Sequence, residues 1–168
     1  MTTTNAMRLL TQAGISFTPV EYAYDEADLS GVHAAAALGL DPEATFKTLV
    51  LRGERQGLFV CCIPVGAEVD LKKAAKAMGD KRVEMLHLKE LLPTTGYIRG
   101  GCSPVGMKKR LPTFLEETAQ LFDRIAVSAG IRGQMLLLEP DALCAYVGGK
   151  YADLVLESCA EVDSAHRR

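Results

Sequence analysis

The sequence lacks the features that would place it outside the globular proteins. It has no tryptophan, and aromatic residues make up only 6% of its 168 residues. No apolar run approaches the ~20 residues of a membrane span, and residues 1–6 have neither the basic nor the apolar region of a secretory signal. With 48% apolar and 24% charged residues, we expect one globular, cytoplasmic domain over residues 1–168, frayed from about residue 157, with no membrane partner.

Metal and cofactor motifs are also missing. The five cysteines are odd in number and contain no CxxC pair, and the three histidines fit no zinc-binding spacing. We therefore expect no metal, no cofactor and no disulfide framework. Cys61 and Cys62 lie in a continuously apolar run, which indicates small core residues.

Common catalytic motifs are absent too. No GxSxG elbow is present, and residues 101–106 have the glycine spacing of a P-loop but are followed by Met107 where lysine is required. Cys102 remains as a candidate nucleophile, because Arg99 and Lys108 could lower the pKa of its thiol. A small buried thiol explains the same residue equally well, and no histidine is near in sequence.

A glycine-rich loop over residues 93–110 is the most distinctive segment that the chain does contain. It holds four of the 15 glycines and two of the seven prolines, and it ends in Lys108-Lys109-Arg110. Glycines let a backbone approach a ligand closely, so bare amides beside cations suit a phosphate, a carboxylate or a nucleic acid end. The alternative is a glycine-rich surface turn with a solvated charge run.

Positive charge is concentrated in residues 70–110, which hold ten basic and four acidic residues although the whole chain has a net charge of −2. This asymmetry predicts a face for a polyanion. Its backbone-binding lysines would be Lys72, Lys73, Lys76, Lys108 and Lys109. A lysine-rich helix surface with no partner is the competing interpretation.

Periodicity and turn residues predict an α+β fold. Six or seven short strands mix with about four helices, and we expect the strands to close or half-close a barrel. One short helix, around residues 88–92, is expected to stop before Pro93, and the chain from Val147 is expected to be irregular apart from a short apolar turn at residues 152–156. One strand, residues 46–52, carries a single cation, Lys47, among apolar residues. Such a lysine either snorkels to the surface or points into a pocket, and the sequence alone favours snorkelling.

These residues offer amides, hydroxyls and one lysine, but no obvious base. Such a set suits a reaction in which positioning and oxyanion stabilisation dominate. Activated esters are substrates of this kind. Aminoacyl-tRNA is an activated ester joined to a polyanion, which would also explain the basic face.

Four segments together resemble the YbaK family of free-standing aminoacyl-tRNA deacylases. They are Phe46-Lys-Thr-Leu49, residues 70–79, Val83-Glu-Met85 and the loop from Thr95 to Arg110. The family is similar to the editing domain inserted in bacterial prolyl-tRNA synthetases. The resemblance implies a single-domain mixed β-barrel flanked by helices. It also implies hydrolytic removal of cysteine from mischarged tRNA(Pro), acting on the 3′ acceptor end. It also suggests prolyl-tRNA synthetase as a partner, and DNA is not an expected ligand.

The resemblance also implies site residues. It assigns Lys47 and Gly101 to catalysis. It assigns substrate contacts to Tyr22, Thr48, Gly100, Ser103, Pro104, Gly106, Ser128, Gly130 and Arg132. The reaction it implies begins when the substrate's own thiol attacks its ester, which removes the need for a protein base.

Four departures from the family pattern leave the aminoacyl specificity open. Ala129 stands where glycine is frequent, Met135 where some members have an acid, and Ser30 near a position that is often aromatic. Cys102 replaces an aliphatic residue, which argues against a protein thiol as nucleophile. Editing of another small amino acid such as alanine, and a tRNA- or synthetase-binding module without turnover, remain alternatives.

Overall fold

A computed structural model describes residues 1–157, so the predicted frayed tail lies almost wholly outside the described residues. Five α-helices occur in this part of the chain: α1 (Asn5–Gln12), α2 (Gly31–Leu38), α3 (Leu71–Met78), α4 (Leu88–Thr95) and α5 (Pro140–Tyr146). Eight strands accompany them: β1 (Thr18–Glu21), β2 (Phe46–Gly53), β3 (Gly57–Pro64), β4 (Val83–Met85), β5 (Thr113–Glu116), β6 (Ile125–Ser128), β7 (Gln134–Leu138) and β8 (Lys150–Ala152).

Helix boundaries follow local capping chemistry. The Ser30 hydroxyl accepts from the His33 N–H at the start of α2, and the Asp70 carboxylate accepts from two backbone N–H groups at the start of α3. Both helices end at a glycine in the left-handed region, Gly39 and Gly79. Each cap satisfies backbone groups that a helix end leaves unpaired, which explains why these short helices stop where they do.

The strands form two sheets. One has five strands in the order β4-β2-β3-β5-β8, and the other has three in the order β1-β7-β6. A single parallel bridge between Thr45 and Ala126 joins them, and the Ala126 N–H donates to the Ala44 carbonyl. The α+β class is thus confirmed. Over residues 1–157, however, the strands number eight and do not close into one continuous barrel.

Two elements differ from expectation. The helix expected to end before Pro93 continues to Thr95, because proline removes one donor while the Thr95 hydroxyl and the Gly96 N–H supply bonds to the carbonyls of Leu91 and Leu92. Strand β8 was expected to be irregular chain. It pairs in parallel with β5, and this long-range contact leaves little local signal.

Apolar residues pack into clusters on the two faces of the larger sheet. Phe46, Val50 and Cys62 belong to the cluster that also contains Leu136, whereas Leu51 belongs to the cluster on the other side. Alternate residues of a strand face opposite sides, which explains this division. The prediction that Cys61 and Cys62 are core residues is confirmed, since both are buried.

One edge of β2 is only partly paired. β3 covers the opposite edge along the whole strand, from Phe46 to Gly53. On the near edge, β4 pairs only with Leu51–Gly53, and the bridge at Thr45 holds the other sheet. The segment between these contacts is left without a neighbouring strand, and a cavity opens there.

Candidate active site

A cavity of about 500 Å³ lies beside the partly paired edge of β2. Its walls are mainly apolar, with Met85 from β4, Leu88 and Leu91 from α4, Phe46 from β2 and Val65 just after β3. Polar side chains line it from several elements: Tyr22, Ser30, Lys47, Thr48, Arg99 and Ser128. The volume falls in the range of about 300–1,000 Å³ that small-molecule sites occupy.

Lys47 is half-buried and faces this cavity. Its Nζ donates to the Val65 carbonyl at 3.3 Å. Burial lowers the pKa of Lys47 below its ordinary value of 10.5, and the carboxylate of Glu68 partly offsets that shift. The expectation that Lys47 snorkels to the surface is therefore wrong, because the gap beside β2 gives its side chain an interior space to occupy.

Thr48 brings both its side chain and its backbone to the cavity. Its hydroxyl lies 3.8 Å from the buried Cys62 sulfur. On the cavity edge of β2, the Val50 carbonyl accepts from the Leu86 N–H. Because alternate residues of a strand direct their N–H and C=O to the same edge, the backbone polar groups of Thr48 face the segment without a neighbouring strand.

The first part of the glycine-rich loop reaches the cavity. Gly100 and Cys102 line it, and Gly100 has a φ of +86°. Gly101 is buried between them, and its N–H donates to the Ile98 carbonyl at 3.0 Å. The catalytic role predicted for Gly101 stays a prediction, and its N–H is already engaged within the loop.

The second part of the loop turns away from the cavity. Ser103 is fully buried, and its hydroxyl accepts from the Val105 N–H at 3.2 Å. Pro104 and Gly106 line a separate cavity of about 290 Å³ together with Lys109. The substrate contacts predicted for this half of the loop are thus not joined to Lys47 by one shared cavity, and they stay predictions.

The turn after β6 is hydrogen-bonded to the glycine-rich loop. Ser128 lines the cavity while its hydroxyl accepts from the Gly130 N–H at 3.1 Å. The Arg132 Nε donates to the Arg99 carbonyl at 2.9 Å. Arg132 therefore links this turn to the glycine-rich loop, whereas Ser128 is the residue that a bound molecule would meet.

Carboxylate and imidazole side chains are absent from the described lining. No aspartate, glutamate or histidine contributes to the cavity wall formed within residues 1–157. The thiol of Cys102 is also a poor nucleophile, because burial raises its pKa to about 12. This contradicts the idea that Arg99 and Lys108 activate it. Over the same residues, no three potential metal-binding side chains converge.

The predicted tRNA-binding lysines have different environments. Lys72 and Lys76 are exposed on α3, as are Lys108 and Lys109 after the loop. Lys73 instead forms an ion pair with Asp153 at 3.0 Å and donates to the Val155 carbonyl at 2.7 Å. Its charge is therefore already partnered within the fold, which makes it less available to a phosphate.

The sequence did not indicate several cavity residues. Met85, Leu88 and Leu91 line it from β4 and α4, and the departures Ser30 and Met135 line it as well. Apolar spacing in a short helix gives the same signal whether it faces a core or a pocket. The position of Ser30 near a site could be suspected only from the resemblance.

Comparison with known proteins agrees with this geometry. The family model described as "Aminoacyl-tRNA editing domain" matches residues 28–146, a span that contains all the cavity-lining residues except Tyr22. The chain belongs to this family of editing domains.

One curated relative and two solved structures are similar to this chain. The chain is 50% identical over 151 residues to an Enterococcus faecalis protein named "Putative Cys-tRNA(Pro)/Cys-tRNA(Cys) deacylase EbsC", covering 90% of the chain and 92% of that relative. It is 25% identical to a solved structure described as "a putative trans-editing enzyme for prolyl tRNA synthetase", with a TM-score of 0.79 and coverage of 94% and 100%. A structure named "hypothetical protein APE2540" shares the fold at 19% identity and a TM-score of 0.80, covering 89% of this chain and 97% of that one.

The lengths and compositions of the described helices can be compared with those of membrane spans. Among those within residues 1–157, none has the length and apolar character that crossing a bilayer requires.

Proposed function

We propose that this protein is a trans-editing aminoacyl-tRNA deacylase that removes cysteine from mischarged tRNA(Pro). Support comes from its family, from the name of the relative at 50% identity and from the structure described as a trans-editing enzyme. In this proposal Lys47 holds the 3′ end of the tRNA, and Gly100, Thr48 and Ser128 orient the aminoacyl ester. It acts in the cytoplasm, where charged tRNA is used.

The observation that carries the proposal is that the described cavity wall contains no aspartate, glutamate or histidine, and that the pKa of its one thiol, Cys102, is raised. Ester cleavage there must draw its nucleophile from the substrate or from water. The cysteinyl thiol loses its proton and attacks its own carbonyl carbon. The bond to the ribose oxygen then breaks, that oxygen takes a proton, and the cyclic thioester that leaves is opened by water.

In this reaction the rate enhancement comes from the positioning of the thiol against the ester carbonyl. Holding sulfur and carbonyl in a near-attack arrangement contributes roughly 7–11 kcal/mol to lowering the barrier. A cysteine thiol ionises near pH ~8.5, whereas a serine hydroxyl stays protonated at any physiological pH. Selection against serine therefore follows from the chemistry and requires no steric sieve.

The test is release of amino acid from one purified tRNA(Pro) charged with cysteine, serine or alanine. We expect rapid release of cysteine and release at least ~100-fold slower for serine, because only the thiol forms an anion readily. Equal rates for cysteine and serine would contradict thiol assistance. Faster release of alanine would identify a different small-amino-acid editor, and binding without release would identify a non-catalytic module.

Three variants test the residue roles. Lys47→Ala should lower kcat/KM about 10- to 100-fold, as expected for loss of a charged hydrogen bond. Lys150→Ala removes an exposed lysine on β8, outside both the cavity and the predicted tRNA-binding set, and is the matched control. Cys102→Ala should stay active, since burial raises the pKa of the Cys102 thiol to about 12. An inactive but folded Cys102→Ala would make the protein thiol the nucleophile.

Selection of tRNA(Pro) requires a further determinant in this proposal, because the cavity admits only the 3′ end. Prolyl-tRNA synthetase is the proposed partner that delivers the mischarged tRNA. Co-purification of the two proteins with and without tRNA tests this. An editing rate on free tRNA(Pro) that the synthetase leaves unchanged would count against delivery.

A further inference from the structure

Two apolar side chains that line the cavity are also exposed to solvent. Met85, at the end of β4, is 41% exposed, and Leu88, in the first turn of α4, is 59% exposed. Both line the 500 Å³ cavity. Apolar groups that are both solvent-exposed and grouped at the mouth of a pocket mark a binding surface more often than a random surface position does.

The cavity is also longer than an amino acid requires. Lys47 lies four residues before Leu51 on β2, and Leu51 pairs with Met85. At about 3.3 Å per residue, the Lys47 end and the Met85 end are ~13 Å apart along the strand. A cysteinyl group spans only a fraction of this length, whereas an aminoacylated nucleoside spans most of it.

We propose that the apolar rim of Met85 and Leu88 holds the adenine base of the tRNA's 3′-terminal nucleotide. This inference rests on the proposed function, in which Lys47 and Gly100 hold the aminoacyl ester. A flat, weakly hydrated base gains by covering Met and Leu side chains, since the transfer of apolar surface from water is favourable. The rim becomes the site where the enzyme recognises that its ester is attached to a nucleotide.

Charge at the rim suits the phosphate next to that base. Arg99 lines the cavity and is exposed, and Lys89 follows Leu88 on α4 and is exposed too. Glu90, the next residue, pairs with Arg52 at 3.1 Å, so its carboxylate is neutralised within the fold. The described surface beside the apolar rim therefore presents cations to a polyanion.

Helix α4 offers a matched control for Leu88. Leu92 lies one turn further along the same helix and is 53% exposed, yet it does not line the cavity. Leu88→Ala and Leu92→Ala remove the same group from surfaces of similar exposure. A general effect on helix stability should appear in both variants, whereas loss of a base contact should appear in Leu88→Ala alone.

The direct test is binding of adenosine 5′-monophosphate, measured by changes in amide NMR signals. We expect the wild type and Leu92→Ala to bind with equal affinity and Leu88→Ala to bind about 10-fold more weakly, the loss expected from removing one apolar side chain contact. Uridine 5′-monophosphate, with a smaller base, should bind more weakly than its adenine counterpart. Equal affinity in both leucine variants, or no binding by the wild type, would overturn the inference.

Kinetics separate this inference from the proposed function. With cysteinyl-tRNA, Leu88→Ala should raise KM about 10-fold and leave kcat unchanged, and with cysteine ethyl ester, which has no base, it should match the wild type. Normal KM values in Leu88→Ala would remove the base site while leaving the deacylase intact. Failure of the wild type to release cysteine would instead refute the deacylase, and the nucleotide-binding result would still decide the base site.

Discussion

Replacing Gly101 by alanine tests how the two segments beside the cavity are held together. A Cβ built on Gly101 would lie 3.1 Å from the Ile131 carbonyl carbon and 3.2 Å from the Arg132 backbone nitrogen. These are main-chain atoms, so they cannot move aside as the end of a flexible side chain would. The Gly101→Ala variant must therefore separate the glycine-rich loop from the turn after β6.

The size of this effect follows from the distances. Carbon atoms pack best at about 3.5–4.0 Å, so the 3.1 Å contact requires a shift of roughly 0.5 Å. Overpacking of this kind costs about 1–3 kcal/mol, which for a chain of this length lowers Tm by roughly 2–12 °C. Gly100 and Ser128 lie at the ends of the displaced segments and line the cavity, so kcat/KM should fall by about 10- to 100-fold.

The assay measures cysteine release from charged tRNA(Pro) together with thermal unfolding of each variant. Gly66→Ala is the control, because a Cβ at Gly66 meets nothing within 4 Å. It should have the Tm and kcat/KM of the wild type. If Gly101→Ala retained full kcat/KM despite a lowered Tm, contact between the two segments would not position the substrate, and the reasoning would fail.

Four further predictions concern charge and burial. Because burial lowers the pKa of Lys47, binding of a non-hydrolysable cysteinyl-tRNA analogue should weaken as pH rises towards 10.5, and Lys47→Arg should keep its affinity there. Because its pKa is lowered, Lys47 binds its proton less tightly in the folded state than in the unfolded chain. The free energy of unfolding should therefore rise as pH increases towards 10.5. Lys47→Met should remove this rise when chemical unfolding is measured at several pH values. Glu116 is buried and accepts from the backbone N–H groups of Thr118 and Leu154, so Glu116→Ala should cost about 2–4 kcal/mol and lower Tm by roughly 4–16 °C, whereas exposed Glu117→Ala should leave Tm unchanged. Finally, tRNA binding should weaken with salt, and each exposed lysine removed from α3 should lower the slope of log affinity against log salt by about 1; an unchanged slope would place the tRNA elsewhere.

Much of the fold could be predicted because its signals are local. Asp70 and Gly79 bound α3 in the sequence as they do in the structure. The hairpin of β2 and β3 follows from two apolar runs separated by a short polar, glycine-bounded turn. The resemblance likewise placed Tyr22, Lys47, Thr48, Gly100 and Ser128 near a common site, and all five line the cavity.

The remaining features depend on contacts between distant segments. The direction of Lys47 is decided by the gap between β4 and the Thr45–Ala126 bridge, which no window of sequence contains. β8 exists because β5 offers it an edge. The exposure of Leu88 in an apolar helix appears only once the cavity beside it is formed.

The packing around Tyr97 explains why residues 106 and 130 are glycine. Its hydroxyl donates to the Val105 carbonyl, and its ring stands 3.0 Å from where a Cβ of Gly130 would lie, while its hydroxyl oxygen is 3.0 Å from that of Gly106. Both glycines also have positive φ, +79° for Gly106 and +104° for Gly130, so an L side chain is excluded there on conformational grounds as well. Two glycines, Gly106 and Gly130, are thus needed to accommodate the half-buried Tyr97 side chain, and Gly100 is the loop glycine that lines the cavity.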